Sequence, residues 1–393
     1  MSSLSELTDI FLEFLNSYYP LVMQARAAGD VTLTPQTEML FPTMLLTTET
    51  EGHYIFELLG ASPTFLGLEA RRHKEHSVNR YVSQLSNDSS QAHLNIDVGY
   101  IFFDGIGVGN KLDLQILAER FPAINSYVER YKLERRESCG ALVKFGPSVE
   151  FCGFADVIFV HRMESAFRVK HSLYMAVLSK TISSQNVKSH LESTFFQKRI
   201  MGVHFCGSHR TEQQIVAGQL QSMFLQPNLR ETALGEFLRH HESVLLKAFS
   251  ATAALHEPYF PWQINLPGNS DTAINPDLLL KRNDGYFDIV DLKTALINRS
   301  SLTKGPQKRR RFIDCVSEGL AQLAHYRDFF SYDENAKYAK EKYQVDFKDP
   351  QCTLIVGNYE NASRQECVEA LRAVNNIAIL DYDTMIQMYL ADK

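Results

Sequence analysis

Residues 276–293 read Pro-Asp-Leu-Leu-Leu-Lys-Arg-Asn-Asp-Gly-Tyr-Phe-Asp-Ile-Val-Asp-Leu-Lys, and their pattern predicts a β-hairpin. Leu278, Leu279 and Leu280 form an apolar run of strand type. Asn283-Asp284-Gly285 is a turn signal, because Asn and Gly tolerate positive φ. Tyr286 to Leu292 is a second run rich in β-branched and aromatic residues. Side chains alternate faces along a strand, so Asp291 and Lys293 point the same way. Asp277 falls near the start of the partner strand, where Pro276 is also accepted. Two acids and one lysine on adjacent strand ends make a site for a hard cation and an activated water.

The plain alternative is a cross-strand ion pair on a solvated face, with Asp277 merely opening its strand. The neighbours of Asp291 weigh against it. Ile289, Val290 and Leu292 predict a strand buried on both faces, and a buried carboxylate and ammonium are costly unless they pair or hold a metal.

Pro276-Asp277 followed by Asp291-Leu292-Lys293 resembles the PD-(D/E)XK nuclease signature, and Gln322-Leu-Ala-His-Tyr326 is similar to the Gln-x-x-x-Tyr helix that follows the core strands in many of these enzymes. More narrowly, residues 225–393 resemble the Shedu family of bacterial anti-phage nucleases. The matching pieces are Gly235-Glu-Phe-Leu-Arg-His-His-Glu242, Asn275-Pro-Asp-Leu-Leu-Leu, Val290-Asp-Leu-Lys-Thr294, Ala321-Gln-Leu-Ala-His-Tyr-Arg327 and Thr353-Leu-Ile-Val-Gly357. Their order and spacing together are more specific than the short superfamily motif. The resemblance implies homo-oligomers, tetramers in particular, with the N-terminal region controlling or targeting the nuclease.

The whole chain sets the frame. Its 393 residues suffice for two domains. An apolar content of 45% and a charged content of 22% describe an ordinary globular protein. The formal net charge is −6, so contact with double-stranded DNA has to come from a local basic patch. Between Asp291 and Asp314 there is no acid, while Lys293, Arg299, Lys304, Lys308, Arg309, Arg310 and Arg311 all occur. A charge run is usually a solvated face. Beside the proposed site, Lys304, Lys308, Arg309, Arg310 and Arg311 read as phosphate contacts, with an acidic partner or a subunit surface as the other uses. Cys139, Cys152, Cys206, Cys315, Cys352 and Cys367 show no paired spacing and read as reduced, mostly core thiols of a cytoplasmic protein. The N-terminus lacks signal-peptide character, and no apolar stretch is long enough to span a membrane.

The expected class is α+β or α/β. Residues 1–225 form an α+β regulatory or DNA-targeting region of one or two lobes, and residues 226–393 a nuclease domain with a mixed central sheet flanked by helices. Residues 1–28 predict an amphipathic helix on Ile10, Phe11, Phe14, Leu15 and Tyr18. His93–Phe103, Ala141–Phe145 and Ala155–His161 predict strands, and Lys111–Phe121 a helix. Glu231–Phe249 predicts the helix that opens the second domain, with Thr353–Gly357 and Ile377–Asp381 as its late strands. Asp104-Gly-Ile-Gly-Val-Gly-Asn-Lys111 has the setting of a phosphate-cradling loop but no complete motif, and a glycine-rich turn is the better reading. His204, Cys206 and His209 lack a fourth ligand at zinc spacing and read as ordinary structure, as do His73 and His76.

The chemistry expected is metal-assisted phosphodiester hydrolysis. Asp277, Asp291 and the Leu292 backbone carbonyl would hold Mg²⁺ or Mn²⁺. Lys293 would orient the attacking water and stabilise developing charge, with its pKa drawn down by the nearby metal. Gln322 and Tyr326, at i and i+4, share a helix face. The resemblance puts that face beside the site, with Gln322 on metal-linked water or phosphate and Tyr326 equally suited to packing. Glu242 or Glu236 would add an outer ligand. The alternatives are a restriction or repair nuclease outside phage defence, a catalytically silent DNA-binding protein, and a nucleotide-binding regulator built on Gly105–Gly109.

Overall fold

The computed structural model describes residues 2–75, 77–83, 93–109, 113, 142–163, 166–196, 199–265, 271–362, 364–372 and 377–391. The chain divides into two units. The first holds Met1–His161 and Val169–Gln226; the second holds Arg162–Arg168 and Pro227–Asp392.

In the first unit, helix Leu4–Ala28 is capped by Ser3, whose side chain accepts from the Glu6 backbone N–H, and is ended by Gly29 in the left-handed region. Leu7, Phe11, Leu15, Tyr18 and Val22 recur along it at helical spacing and join the apolar cluster on one face of the main sheet. The strands are β1 (Thr37–Leu40), β2 (Met44–Glu49), β3 (His53–Leu59), β4 (Glu69–Lys74), β5 (His93–Ile96), β6 (Tyr100–Asp104), β7 (Gly107–Gly109), β8 (Leu142–Phe145), β9 (Phe151–Met163), β10 (Ala166–Ser179) and β11 (His204–Gly207). The main sheet runs β4-β2-β3-β10-β9-β6, with β7 also on β9, while β1 pairs β11 and β5 pairs β8. The expected single strand His93–Phe103 is therefore two strands in different sheets. Glu57 is fully buried and accepts from Ser172 Oγ at 2.6 Å and Lys170 Nζ at 3.0 Å, so this interior charge is paired.

The glycine-rich segment is no phosphate cradle. After a turn at Gly105, residues Gly107–Gly109 lie parallel to Ile158–Val160 as a strand, and a Cβ on Gly109 would stand 2.6 Å from the Val160 carbonyl oxygen. The glycines permit close strand packing. The expected helix Lys111–Phe121 and Cys139 lie outside the described residues, apart from Asp113. His204 and Cys206 sit on β11, which pairs with β1, and the remaining described cysteines are unpaired, with Cys315 exposed and the others buried.

The second unit is built on the hairpin. Its strands are β12 (Ala253–His256), β13 (Phe260–Pro261), β14 (Ala273–Ile274), β15 (Leu278–Lys281), β16 (Phe287–Leu292), β17 (Thr303–Lys304), β18 (Arg311–Phe312), β19 (Cys352–Ile355) and β20 (Ile377–Leu380). The five-stranded sheet runs β12-β15-β16-β19-β20. β12, β15 and β16 are antiparallel neighbours, and β16, β19 and β20 are parallel, so the sheet is mixed and the unit α+β. Gly285, at φ +92°, lets the hairpin close. β16 is the central strand and is buried along most of its length. Phe287 and Ile289 face Val316, Leu320 and Leu323 of helix Asp314–Phe330 in one apolar cluster. Helix Glu231–His240 packs against β16, and helix Ser243–Ala248 against helix Tyr382–Leu390 and β12. The expected continuous helix Glu231–Phe249 is thus two helices. His241 leaves helical geometry at φ −115°, ψ 52°, and the chain restarts at Ser243. Among the described residues, no helix is long and apolar enough to cross a membrane.

Candidate active site

Strand alternation places the site. Leu278 pairs with Val290 across the hairpin, and the same register carried one residue further sets Asp277 across from Asp291. Asp277 Oδ2 accepts the Leu292 backbone N–H at 2.7 Å, which fixes that carboxylate on the strand end. Asp291 continues the face of Phe287 and Ile289 and is almost wholly buried. The Lys293 backbone N–H donates to the Ile355 carbonyl at 2.9 Å, so the lysine is held just past the strand end. Its Nζ lies 2.8 Å from Asp291 Oδ2, 3.4 Å from the Leu292 carbonyl and 3.7 Å from Glu231 Oε2. Tyr382, fully buried, donates its hydroxyl to the Lys293 carbonyl at 2.7 Å.

The electrostatics follow from this crowding. Burial, and then the facing Asp277 carboxylate, push the Asp291 carboxyl up to about 7 against the pull of Lys293. Burial also raises Glu231, with Lys293 opposing and Asp277 adding to the shift. Burial alone would lower Lys293, but Asp291, Glu231 and Asp277 outweigh it, and the ammonium is held above its ordinary value. Tyr326 is raised by burial and then by Asp291 and Asp277, which places its hydroxyl within their field.

The donors suit a hard divalent cation. Asp291 Oδ2 is buried and has the Lys293 ammonium 2.8 Å away as its charged partner. The Leu292 carbonyl and the Asp291 carboxylate already converge on one positive charge, the lysine ammonium. Among the described residues, no three His, Cys, Asp or Glu side chains form a ready-made cage. Two carboxylates and a backbone oxygen are the set that would leave water on Mg²⁺.

Helix Asp314–Phe330 brings Gln322 and Tyr326 to this side. Tyr326 donates to the Asn275 carbonyl at 3.4 Å, two residues before Asp277. Gln322 Oε1 is buried without a hydrogen bond. Gly319, one turn earlier, went unnoticed in the sequence; a Cβ there would stand 3.3 Å from Asp291 Oδ2 and 2.8 Å from Leu354 Cδ1. Its bareness lets the helix lie on the carboxylate. The glutamate of the opening helix also needs correcting. Glu242 faces His256 at 3.6 Å, and among the described residues the ion-pair partners of Lys293 are Glu231 and Asp291, not Glu236. The acid beside Lys293 is Glu231, at the start of the helix, and the helix break at His241 is what separates it from Glu242.

Residues 228–386 match the family model described as Shedu protein SduA, C-terminal. The chain carries a Shedu C-terminal domain. A comparison with curated proteins gave no match.

Within the Shedu domain the basic run divides into two groups. Lys308 and Arg309 form a short 3₁₀ turn, and Arg311 starts β18; all three are exposed. Arg310 is turned inward and bonds Glu369 at 2.7 Å and Glu366 at 3.1 Å. Lys304 pairs with the exposed Asp314, whose carboxyl it holds below the usual range. The ion pairs of Arg310 and Lys304 thus correct the expected set of five. Arg310 holds the loop, and Lys308, Arg309 and Arg311 face outward.

Proposed function

We propose that this protein is a metal-dependent endonuclease that hydrolyses phosphodiester bonds of double-stranded DNA in anti-phage defence. Membership of its C-terminal part in the Shedu family supports the defence role. The observation that carries the chemistry is the convergence of Asp277, Asp291 and Lys293 at the end of one hairpin, with the buried Asp291 carboxylate 2.8 Å from the Lys293 ammonium.

Asp277, Asp291 and the Leu292 carbonyl would hold Mg²⁺ or Mn²⁺, which when bound lowers the pKa of a ligated water and offsets charge on the scissile phosphate. Lys293 stays protonated near neutral pH, so it serves as a cationic donor to the attacking water and the phosphate oxygens rather than as the base. Glu231 and Tyr382 hold that lysine in place, one through its ammonium and the other through its backbone carbonyl. Gln322, on the helix face that carries Gly319 and Tyr326, would offer its amide oxygen to metal-linked water or phosphate. Lys308, Arg309 and Arg311 would contact phosphates along the duplex. The chain would work in the cytoplasm as a homo-oligomer, a tetramer by family likeness.

Purified protein mixed with supercoiled and linear duplex DNA tests the reading. Cleavage with Mg²⁺ and none with EDTA is expected. DNA binding without cleavage under Mg²⁺ and under Mn²⁺ would instead favour a silent DNA-binding protein.

A further inference from the structure

Beside the catalytic group lies a cleft of about 120 Å³, lined by Glu231, Gly235 and Arg239 of the opening helix and by His256, Glu257 and Asp277 on the sheet side. Glu231, Gly235 and Arg239 are spaced four residues apart, so they fall on one helix face. That face carries an acid over Lys293, then a glycine with no atom within 4 Å of where its Cβ would stand, then an arginine. Glu231 and Arg239 are separated by roughly 12 Å along the helix. This exceeds the reach of a single phosphate but suits a strand whose scissile phosphate lies at Lys293 and whose neighbour lies further along.

Arg239 is paired with Glu257, yet both side chains are about half exposed, and such a pair is held weakly enough to exchange its carboxylate for another anion. Glu257 is itself anchored, with its backbone N–H on the Asp277 carbonyl at 2.9 Å, so it presents the guanidinium at the edge of the site. On the same wall, the Nε2 of His256 is buried and faces Glu242 at 3.6 Å, so the arginine is the cation left at the edge of the cleft. A planar guanidinium suits a phosphodiester.

Resting on the nuclease reading above, we propose that this cleft is a subsite for a DNA backbone phosphate flanking the scissile one, with Arg239 as its principal contact and Gly235 as the open floor over which the strand passes. Arg239 is then a positioning residue for the reaction. The opening helix contributes a row of contacts separate from the exposed Lys308, Arg309 and Arg311.

Binding of a fluorescent duplex to the full chain carrying Lys293→Ala, measured without cleavage across a salt series, tests this. Adding Arg239→Gln should weaken binding at least 5-fold and reduce the slope of log affinity against log salt by about one. Gly235→Leu, which adds bulk to the floor without altering charge, should weaken binding as much with the slope unchanged. Arg239→Lys should recover the slope but only part of the affinity. An unchanged slope in Arg239→Gln together with full affinity in Gly235→Leu would overturn the subsite. If the Lys293→Ala protein binds no duplex at all, the nuclease reading fails, and the subsite fails with it.

Discussion

At the residue scale the site depends on one buried acid. Asp291 is raised from its ordinary value to about 7, and Glu231 moves the same way. An acid whose folded pKa is raised adds stability while protonated and loses it as pH climbs from its unfolded value, about 4, through the folded one. The protein without divalent metal should therefore show its melting temperature fall between about pH 4 and pH 7. Added Mg²⁺ should raise it more at pH 8 than at pH 5, because binding favours the ionised carboxylates. A melting temperature in EDTA that does not change over that range would contradict the placement of Asp291. The two aspartates and Lys293 were legible because strand alternation has a period of two and needs no distant information. Glu231 was not, since its approach to Lys293 depends on how the opening helix packs on β16. Gly319 was hidden for the same reason: a glycine in a helix shows no sign of what lies above it.

At the element scale, helix Asp314–Phe330 sits closely on β16 and β19. Gly319→Val would drive a side chain into Leu354 and toward Asp291 and should cost about 1–3 kcal/mol in chemical denaturation. It should also weaken Mg²⁺ binding measured by calorimetry; full affinity would mean that the helix does not shape the site. The basic loop depends on Arg310. Arg310→Ala leaves Glu366 and Glu369 facing each other and should lower stability by about 1–3 kcal/mol, with DNA affinity falling only through disorder of the loop. Arg309→Ala should leave stability unchanged and reduce the salt dependence of binding. The hairpin, the central helix and the late strands were readable from local pattern. The break at His241 was not, because Leu234, Leu238, Leu245 and Ala248 continue a helical apolar spacing straight through it. Periodicity records which residues are buried, not whether the axis between them bends.

At the scale of the whole molecule, the second unit includes a short segment from earlier in the chain. Arg168, almost fully buried, bonds Asp381 at 3.1 Å and lies over the Tyr359 ring at 4.7 Å. Asp381 in turn caps helix Tyr382–Leu390 by accepting from the Thr384 N–H at 2.9 Å. Arg168→Ala would strand a buried carboxylate and should destabilise the protein by about 3–5 kcal/mol in urea; a loss below about 1 kcal/mol would mean that the pair is dispensable. Nothing near Arg168 in the sequence announces this partnership, since the two residues are brought together by the fold alone. The first unit was legible only in its opening helix and scattered strands, because β2 with β4, and β6 and β7 with β9, are parallel pairs whose partners no local pattern reveals. With a net charge of −6, the proposed DNA binding would rest on local features such as the outward basic loop and the Arg239 cleft. The most direct test of the central claim compares the intact protein with Lys293→Ala in the Mg²⁺-dependent cleavage of duplex DNA. The account predicts cleavage by the intact protein and a loss of at least 100-fold in the variant, with duplex binding retained. Equal cleavage by both proteins would contradict it.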